Sequence, residues 1–169
     1  AAHHAPDGDR AYALAVLLDA CGLAGKPEGV PEALEELLAG EPHEAAERER
    51  WLDALSRAAF AVQMLGRADL ADRTLGVALA ALEATPMDDG LIQGRISHAR
   101  AARALARGDL GEAAHLFERA GIDFERVGAE RLAGAEQSNL ATVYVELGAF
   151  ERAEPLFLAA LDRAERQGS

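Results

Sequence analysis

The fold is decided by residues 139–161, which read NLATVYVELGAFERAEPLFLAAL. Apolar residues recur at helical spacing on both sides of Leu147-Gly148-Ala149, and the glycine allows the backbone to reverse there. The stretch therefore predicts two helices joined by a tight turn. Gly66 and Gly108 lie in similar turns, each followed by an apolar residue and another helical pattern.

Breakers along the rest of the chain predict eight helices joined by short loops. Their approximate ranges are residues 9–22, 31–39, 43–66, 70–85, 89–107, 110–126, 130–147 and 150–166. Asp109 is expected to cap its helix with Glu112 as the reciprocal partner, and Asp69 offers the first half of the same motif. Weaker breaks are predicted at Gly121 and Gly128.

The helical pattern also repeats at an offset of 40 residues. The offset aligns residues of similar size in two columns. The bulky column contains Leu37, Val77, Phe117 and Phe157, and the small column contains Cys21, Ala61, Ala101 and Ala141. Small residues allow two helices to approach closely, while bulky residues fill the space beside them. The repeat therefore predicts stacked pairs of helices.

The opening stretch resembles the tetratricopeptide repeat. The resemblance is carried by Leu140, Ala141, Tyr144, Gly148, Phe150, Ala153, Phe157 and Ala160. The 40-residue spacing and Glu154-Pro155-Leu156 are similar to the long-repeat branch found in kinesin light chains and many bacterial regulators. Arg73 and Arg100 depart from the family pattern. The resemblance implies an all-α, right-handed superhelical α-solenoid of four helix hairpins, a single domain over residues 1–169 that belongs to a larger protein. The four repeats are expected at about residues 9–40, 43–85, 89–126 and 130–166.

The charge of the chain restricts its partners. Its 169 residues include 29 acidic and 17 basic side chains, a formal net charge of −12. Because a field of this sign repels phosphate backbones and anionic headgroups, we expect neither nucleic acid nor a membrane as a partner. The single cysteine, Cys21, excludes an internal disulfide and permits a reducing compartment. We expect a cytoplasmic protein.

No constellation typical of catalysis is found in the sequence. The five histidines fall in no metal-ligand spacing, and no glycine-rich phosphate loop is present. His3 and His4, near Asp7 and Asp9, could chelate a metal but are interpreted as a terminus or tag remnant. Cys21 is interpreted as a small packing residue. We therefore predict no enzyme, no cofactor and no metal site.

The resemblance implies that the first helix of each pair lines the concave face of the solenoid. The positions that it carries over as partner-binding residues are Leu55, Val62, Arg95, His98, Ala102, Ser138, Asn139 and Thr142. The same inward-facing column includes Ala15, Leu18, Gly22, Ala58 and Ala135.

Asn139 is the best single candidate for a partner contact. At the matching place in the long-repeat branch an asparagine often bonds the main chain of a bound peptide, because an amide both donates and accepts. The alternative is that Asn139 caps or bridges helices within the fold. Arg95 could pair with a carboxylate of the ligand. The clamp of chaperone-binding members is out of register here, so chaperone binding is not expected.

Two functions are compatible with the sequence. The first is a scaffold or sensor module of a bacterial regulatory protein that binds a peptide or partner domain in its groove. The alternative is a receptor domain that relays the binding of a small molecule or signal peptide through a change in superhelix shape. Because the last helix is apolar and has no capping helix, we also expect further repeats or a second copy of the chain to cover it.

Overall fold

The computed structural model describes residues 8–167, except the side chains of residues 164, 166 and 167. These residues form eight α-helices and no strand, which confirms the predicted all-α fold. The helices are α1 Gly8–Ala24, α2 Val30–Leu37, α3 Ala45–Met64, α4 Ala68–Ala84, α5 Gly90–Ala106, α6 Leu110–Arg126, α7 Glu130–Glu146 and α8 Phe150–Gln167.

The sequence predicted one domain, whereas the contacts group the chain into two compact units. Unit 1 is Ala1–Asp88 and unit 2 is Asp89–Ser169. Their boundary coincides with the predicted start of the third repeat.

The tight turns share one backbone motif. In five of them a glycine adopts a left-handed conformation, at Gly25, Gly66, Gly108, Gly128 and Gly148. At Gly148 the following amide, of Ala149, donates to the Tyr144 carbonyl at 2.8 Å, and the glycine amide donates to Val145 at 2.9 Å. This Schellman arrangement satisfies the last carbonyls of the helix. The weak break predicted at Gly128 is confirmed, because this glycine lies in one of these turns. The weak break predicted at Gly121 is wrong, because Gly121 lies inside α6.

The predicted caps are confirmed in part. Asp109 accepts a hydrogen bond from the Glu112 amide at 3.2 Å, but the Glu112 carboxylate faces Arg107 at 3.4 Å instead of returning to the cap. Asp69 does not cap α4, which begins one residue earlier, at Ala68. A hydrogen bond from Arg67 holds the pKa of the Asp69 carboxyl below its ordinary value. The helix therefore starts without a side-chain cap.

In unit 1, α3 packs against both α1 and α4, and the short α2 packs against α1 and α3. The indole nitrogen of Trp51 donates to the Leu37 carbonyl at 2.8 Å, at the end of α2. The buried Arg48 donates to the Ala81 carbonyl and, at 3.2 Å, to the Thr85 carbonyl at the end of α4. The start of α3 therefore brings side-chain donors to carbonyl groups near the ends of two neighbouring helices. At Ala81 the guanidinium joins the Thr85 amide, which donates to the same carbonyl at 3.1 Å.

Ion pairs hold the outer side of α2. Arg10 of α1 donates to Glu36 at 2.8 Å, and this hydrogen bond lowers the pKa of the Glu36 carboxyl. Arg73 of α4 donates to Glu35 at 3.0 Å, and this contact raises the pKa of the guanidinium. Lowered carboxyl pKa values stabilise the fold at neutral pH, and this contribution is lost as the pH falls.

In unit 2, each helix from α5 to α8 packs against the next one along the chain. Its core contains members of both predicted columns, since the small Ala101 and the bulky Phe117 belong to one buried cluster. The same cluster includes Leu140 and Tyr144 of α7 and Ala153 of α8. The size pattern of the repeat therefore describes the packing of Ala101 and Phe117, whereas Phe157 of the bulky column is exposed on α8.

Gly94 marks a close helix contact in unit 2. A Cβ atom at this position of α5 would lie 2.6 Å from the Cε1 atom of the Phe124 ring on α6. We expect Gly94→Ala to lower the free energy of unfolding by about 1–3 kcal/mol, because a buried ring must move. Chemical denaturation followed by circular dichroism measures the change.

Gly76 provides the matched control, because it lies in α4 with open space where a Cβ would be. Gly76→Ala is expected to be neutral or to stabilise the fold by up to about 1 kcal/mol. Equal stability of the two variants would contradict the close contact at Gly94.

Candidate partner-binding site

A cluster of polar side chains joins α5 to α7 in unit 2. Glu136 of α7 is only 3% exposed, and its two carboxylate oxygens lie 2.9 and 3.0 Å from Nδ1 of His98 on α5. The amide nitrogen of Asn139 donates to the same carboxylate at 3.4 Å. A buried carboxylate is therefore satisfied by two side chains that were predicted to bind a partner.

The helices position this cluster by simple geometry. Glu136 and Asn139 are three residues apart and so lie on neighbouring positions of the α7 surface. His98 comes from α5, and its ring centroid lies 5.9 Å from that of Phe117 on α6. The imidazole is thus held between an aromatic ring and a carboxylate, and its side chain remains 22% exposed.

The remaining predicted residues of α5 lie beside His98. Arg95 and Ala102 are three and four residues away from it, on the same side of the helix, and both are half-buried. The α5–α7 site is defined here as the half-exposed residues Arg95, His98, Ala102 and Asn139. It offers a guanidinium, an imidazole and a primary amide, which are groups that bind carboxylates and peptide main chains.

Ser138 and Thr142 lie outside this site. At 100° per residue, Ser138 points to the side of α7 opposite Glu136, whereas Thr142 lies about 120° from Glu136 and borders Asn139. Their hydroxyl groups donate to their own helix, Ser138 to the Gly134 carbonyl at 3.2 Å and Thr142 to the Ser138 carbonyl at 3.0 Å. The structure therefore does not bring them together with His98.

Leu55 and Val62 were predicted to line the same exposed face, and this prediction is wrong. Both side chains lie on α3 in unit 1 and have 0% exposed surface. Side chains without exposed surface cannot contact a partner in this structure. They are core residues.

The inward-facing column, predicted to line a groove, contacts a neighbouring helix in each of the two units. In unit 1, a Cβ atom on Gly22 of α1 would lie 3.0 Å from the Ala61 carbonyl oxygen of α3, and Leu18 is fully buried. In unit 2, His98 contacts Glu136 of α7. In both units the column therefore faces the next first helix.

Glu136, which holds this cluster together, was not predicted from the sequence. The 40-residue offset aligns it with Val16, Ser56 and Ile96, so it is the one charged residue in a column of small or apolar residues. A charge at such a place predicts a buried group with a specific partner.

The terminal histidines, the cysteine and the membrane prediction concern other parts of the chain. His3 and His4 lie outside the described residues. Within residues 8–167, no group of three or more His, Cys, Asp or Glu side chains is arranged to hold a metal ion. Cys21 is half-buried, with its sulfur 3.9 Å from the Glu28 carbonyl oxygen. None of the described helices is long and apolar enough to cross a membrane.

Comparisons with known proteins give no assignment. No model of a known protein family matches the chain. A search of curated proteins finds no match either.

Proposed function

We propose that this chain is a tetratricopeptide-like interaction module that binds a peptide or an extended segment of a partner protein at the α5–α7 site. The observation that carries the proposal is the contact of Glu136 with both His98 and Asn139. This contact fixes the positions of the His98 imidazole and the Asn139 amide, two groups that can form hydrogen bonds with a ligand, on a half-exposed surface.

Fixed positions favour binding because less side-chain freedom is lost when a ligand arrives. Asn139 uses one amide hydrogen on Glu136, whereas an amide group offers two donors and an acceptor. The contact of Asn139 with Glu136 lies within α7, and it leaves the amide oxygen and one amide hydrogen able to form hydrogen bonds with a peptide main chain. Arg95 supplies positive charge for a carboxylate of the ligand.

The proposed setting is a scaffold or sensor segment of a bacterial regulatory protein in the cytoplasm, without catalytic, metal or cofactor chemistry. The acidic charge of −12 favours ligands other than nucleic acid. A peptide that presents main-chain amides to Asn139 and a carboxylate to Arg95 fits this site.

Selection from a library of random displayed peptides tests the proposal on the whole chain. The dissociation constant of an enriched peptide is then measured by fluorescence polarisation for the wild type, Asn139→Ala and Arg95→Ala. We expect each variant to bind about 5- to 10-fold more weakly, as the loss of one hydrogen bond or ion pair predicts.

Arg119→Ala is the matched control, because Arg119 is an exposed arginine on α6 outside the site. It should leave the dissociation constant and the melting temperature unchanged. Enriched peptides that bind all variants equally would contradict the site. A small molecule retained by the chain in native mass spectrometry would favour the receptor function instead.

A further inference from the structure

The last helix carries an apolar stripe that no described residue covers. Its members lie on one side of α8 at helical spacing and are all exposed: Phe150, Phe157, Leu158 and Leu161. Ala153 and Leu156 lie on the adjoining inner side of α8: Ala153 belongs to the core cluster of unit 2, and Leu156 packs against that cluster. These four exposed residues are called the α8 stripe.

The first helix carries a second apolar stripe. Its buried side, which includes Ala11, Leu14 and Leu18, belongs to the core. The opposite side is exposed and almost wholly apolar, with Tyr12, Ala13, Val16, Leu17, Ala20 and Leu23. These six residues are called the α1 stripe.

The contact between α6 and α7 shows which kind of surface fits the α8 stripe. Phe117 of α6 is buried in one cluster with Leu140 and Val143 of α7. Gly121 of α6 faces Glu136 of α7, where its Cβ would lie 3.7 Å from the Glu136 Cβ. Forty residues later, the positions of Phe117 and Gly121 are occupied by Phe157 and Leu161 of the α8 stripe.

The α1 stripe matches the other half of the same contact. The α7 residues that meet α6 include Ala133, Glu136, Leu140 and Val143, all of them buried. Three repeats of 40 residues earlier, these positions hold Ala13, Val16, Ala20 and Leu23. The chain therefore exposes two apolar surfaces that correspond to the two sides of a contact it already makes within unit 2.

We propose that a second copy of this chain covers the α8 stripe with its α1 stripe, in the arrangement that α7 takes on α6. In this head-to-tail contact Leu161 meets Val16 of the second copy, and Phe157 meets Ala20. The contact joins two different surfaces, so a dimer still has one free α1 stripe and one free α8 stripe. Further copies can add to these free stripes, and the assemblies therefore grow with protein concentration. Because each copy carries a charge of −12, association strengthens as salt screens the repulsion.

Sedimentation velocity of the whole chain over a wide concentration range tests the proposal. The wild type is expected to form larger species as its concentration rises. Leu161→Glu and Val16→Glu each place a charge in one stripe, at side chains that are 57% and 42% exposed and so not needed for folding. Each variant alone should associate at least about tenfold more weakly, since association would bury an unpaired charge.

A mixture of the two variants distinguishes this contact from other dimers. Leu161→Glu keeps its α1 stripe and Val16→Glu keeps its α8 stripe, so the mixture should form dimers and nothing larger. Ile122→Glu, at an exposed apolar residue of α6 outside both stripes, should associate like the wild type. Circular dichroism confirms that the variants remain folded.

Three results would overturn the proposal. If the wild type stayed monomeric at all concentrations, something other than a second copy, such as a further repeat, would have to cover the α8 stripe. Self-association of Val16→Glu at wild-type strength would indicate a contact between two α8 helices. A mixture that forms no dimers would exclude the head-to-tail arrangement. Asn139→Ala should leave association unchanged, which separates this test from that of the proposed function.

Discussion

Replacing Trp51 by alanine is expected to lower the free energy of unfolding of unit 1 by about 3–5 kcal/mol. The side chain is 1% exposed, so its removal leaves a large cavity at the start of α3. The substitution also removes the hydrogen bond from the indole to the Leu37 carbonyl, which lies at the end of α2. Both losses act where α2 packs on α3.

Hydrogen exchange of amides in α2 and α3 under increasing denaturant measures this effect within unit 1. Trp51→Phe keeps most of the apolar volume but loses the hydrogen bond, and should cost less than the alanine variant. Met64→Ala is the control for an exposed large side chain of the same helix and should have little effect. If Trp51→Ala were no more destabilising than Met64→Ala, the anchoring role of Trp51 would be refuted.

His98→Ala is the second substitution with a large expected effect, about 3 kcal/mol in unit 2. It leaves the buried carboxylate of Glu136 without its imidazole partner, and an unpaired buried charge is more costly than the pair that it replaces. The remaining contact, from Asn139 at 3.4 Å, is long and compensates only in part.

A double replacement separates the cost of the unpaired charge from the loss of packing. His98→Ala combined with Glu136→Leu should be more stable than His98→Ala alone, because no charge is then left buried. Denaturant unfolding of unit 2, followed by hydrogen exchange in α5 and α7, gives both values. A double variant less stable than His98→Ala would contradict this explanation. It would show that Glu136 stabilises the fold through a residue other than His98.

The sequence predicted the helices and turns well because these features are local. A glycine in a left-handed turn and apolar residues at helical spacing lie within a few positions of one another. The structure confirms eight helices, and Gly148 ends α7 as the opening stretch predicts. Gly121 was misread because a glycine inside a helix costs little when a neighbouring helix packs against it.

The candidate site was harder to predict because it depends on which sides of the helices face each other. The repeat places Leu55 and Arg95 in the same column, yet Leu55 is buried and Arg95 is half-exposed. Helical spacing determines which residues share a side, but the packing angle decides whether that side meets solvent. The contacts of Trp51 with Leu37, of Arg48 with Ala81 and of Glu136 with His98 were missed for a related reason, since each joins residues that are 14 or more positions apart in the chain.

Amide chemical shifts report directly whether the α5–α7 site binds a peptide or partner segment. The chain is labelled with ¹⁵N and titrated with the tightest peptide from the selection described above. We expect the largest shift changes at Arg95, His98, Ala102 and Asn139. The same titration of Asn139→Ala should give smaller shift changes. Changes confined to α8 or to unit 1, or an Asn139→Ala variant with the wild-type response, would contradict binding at this site.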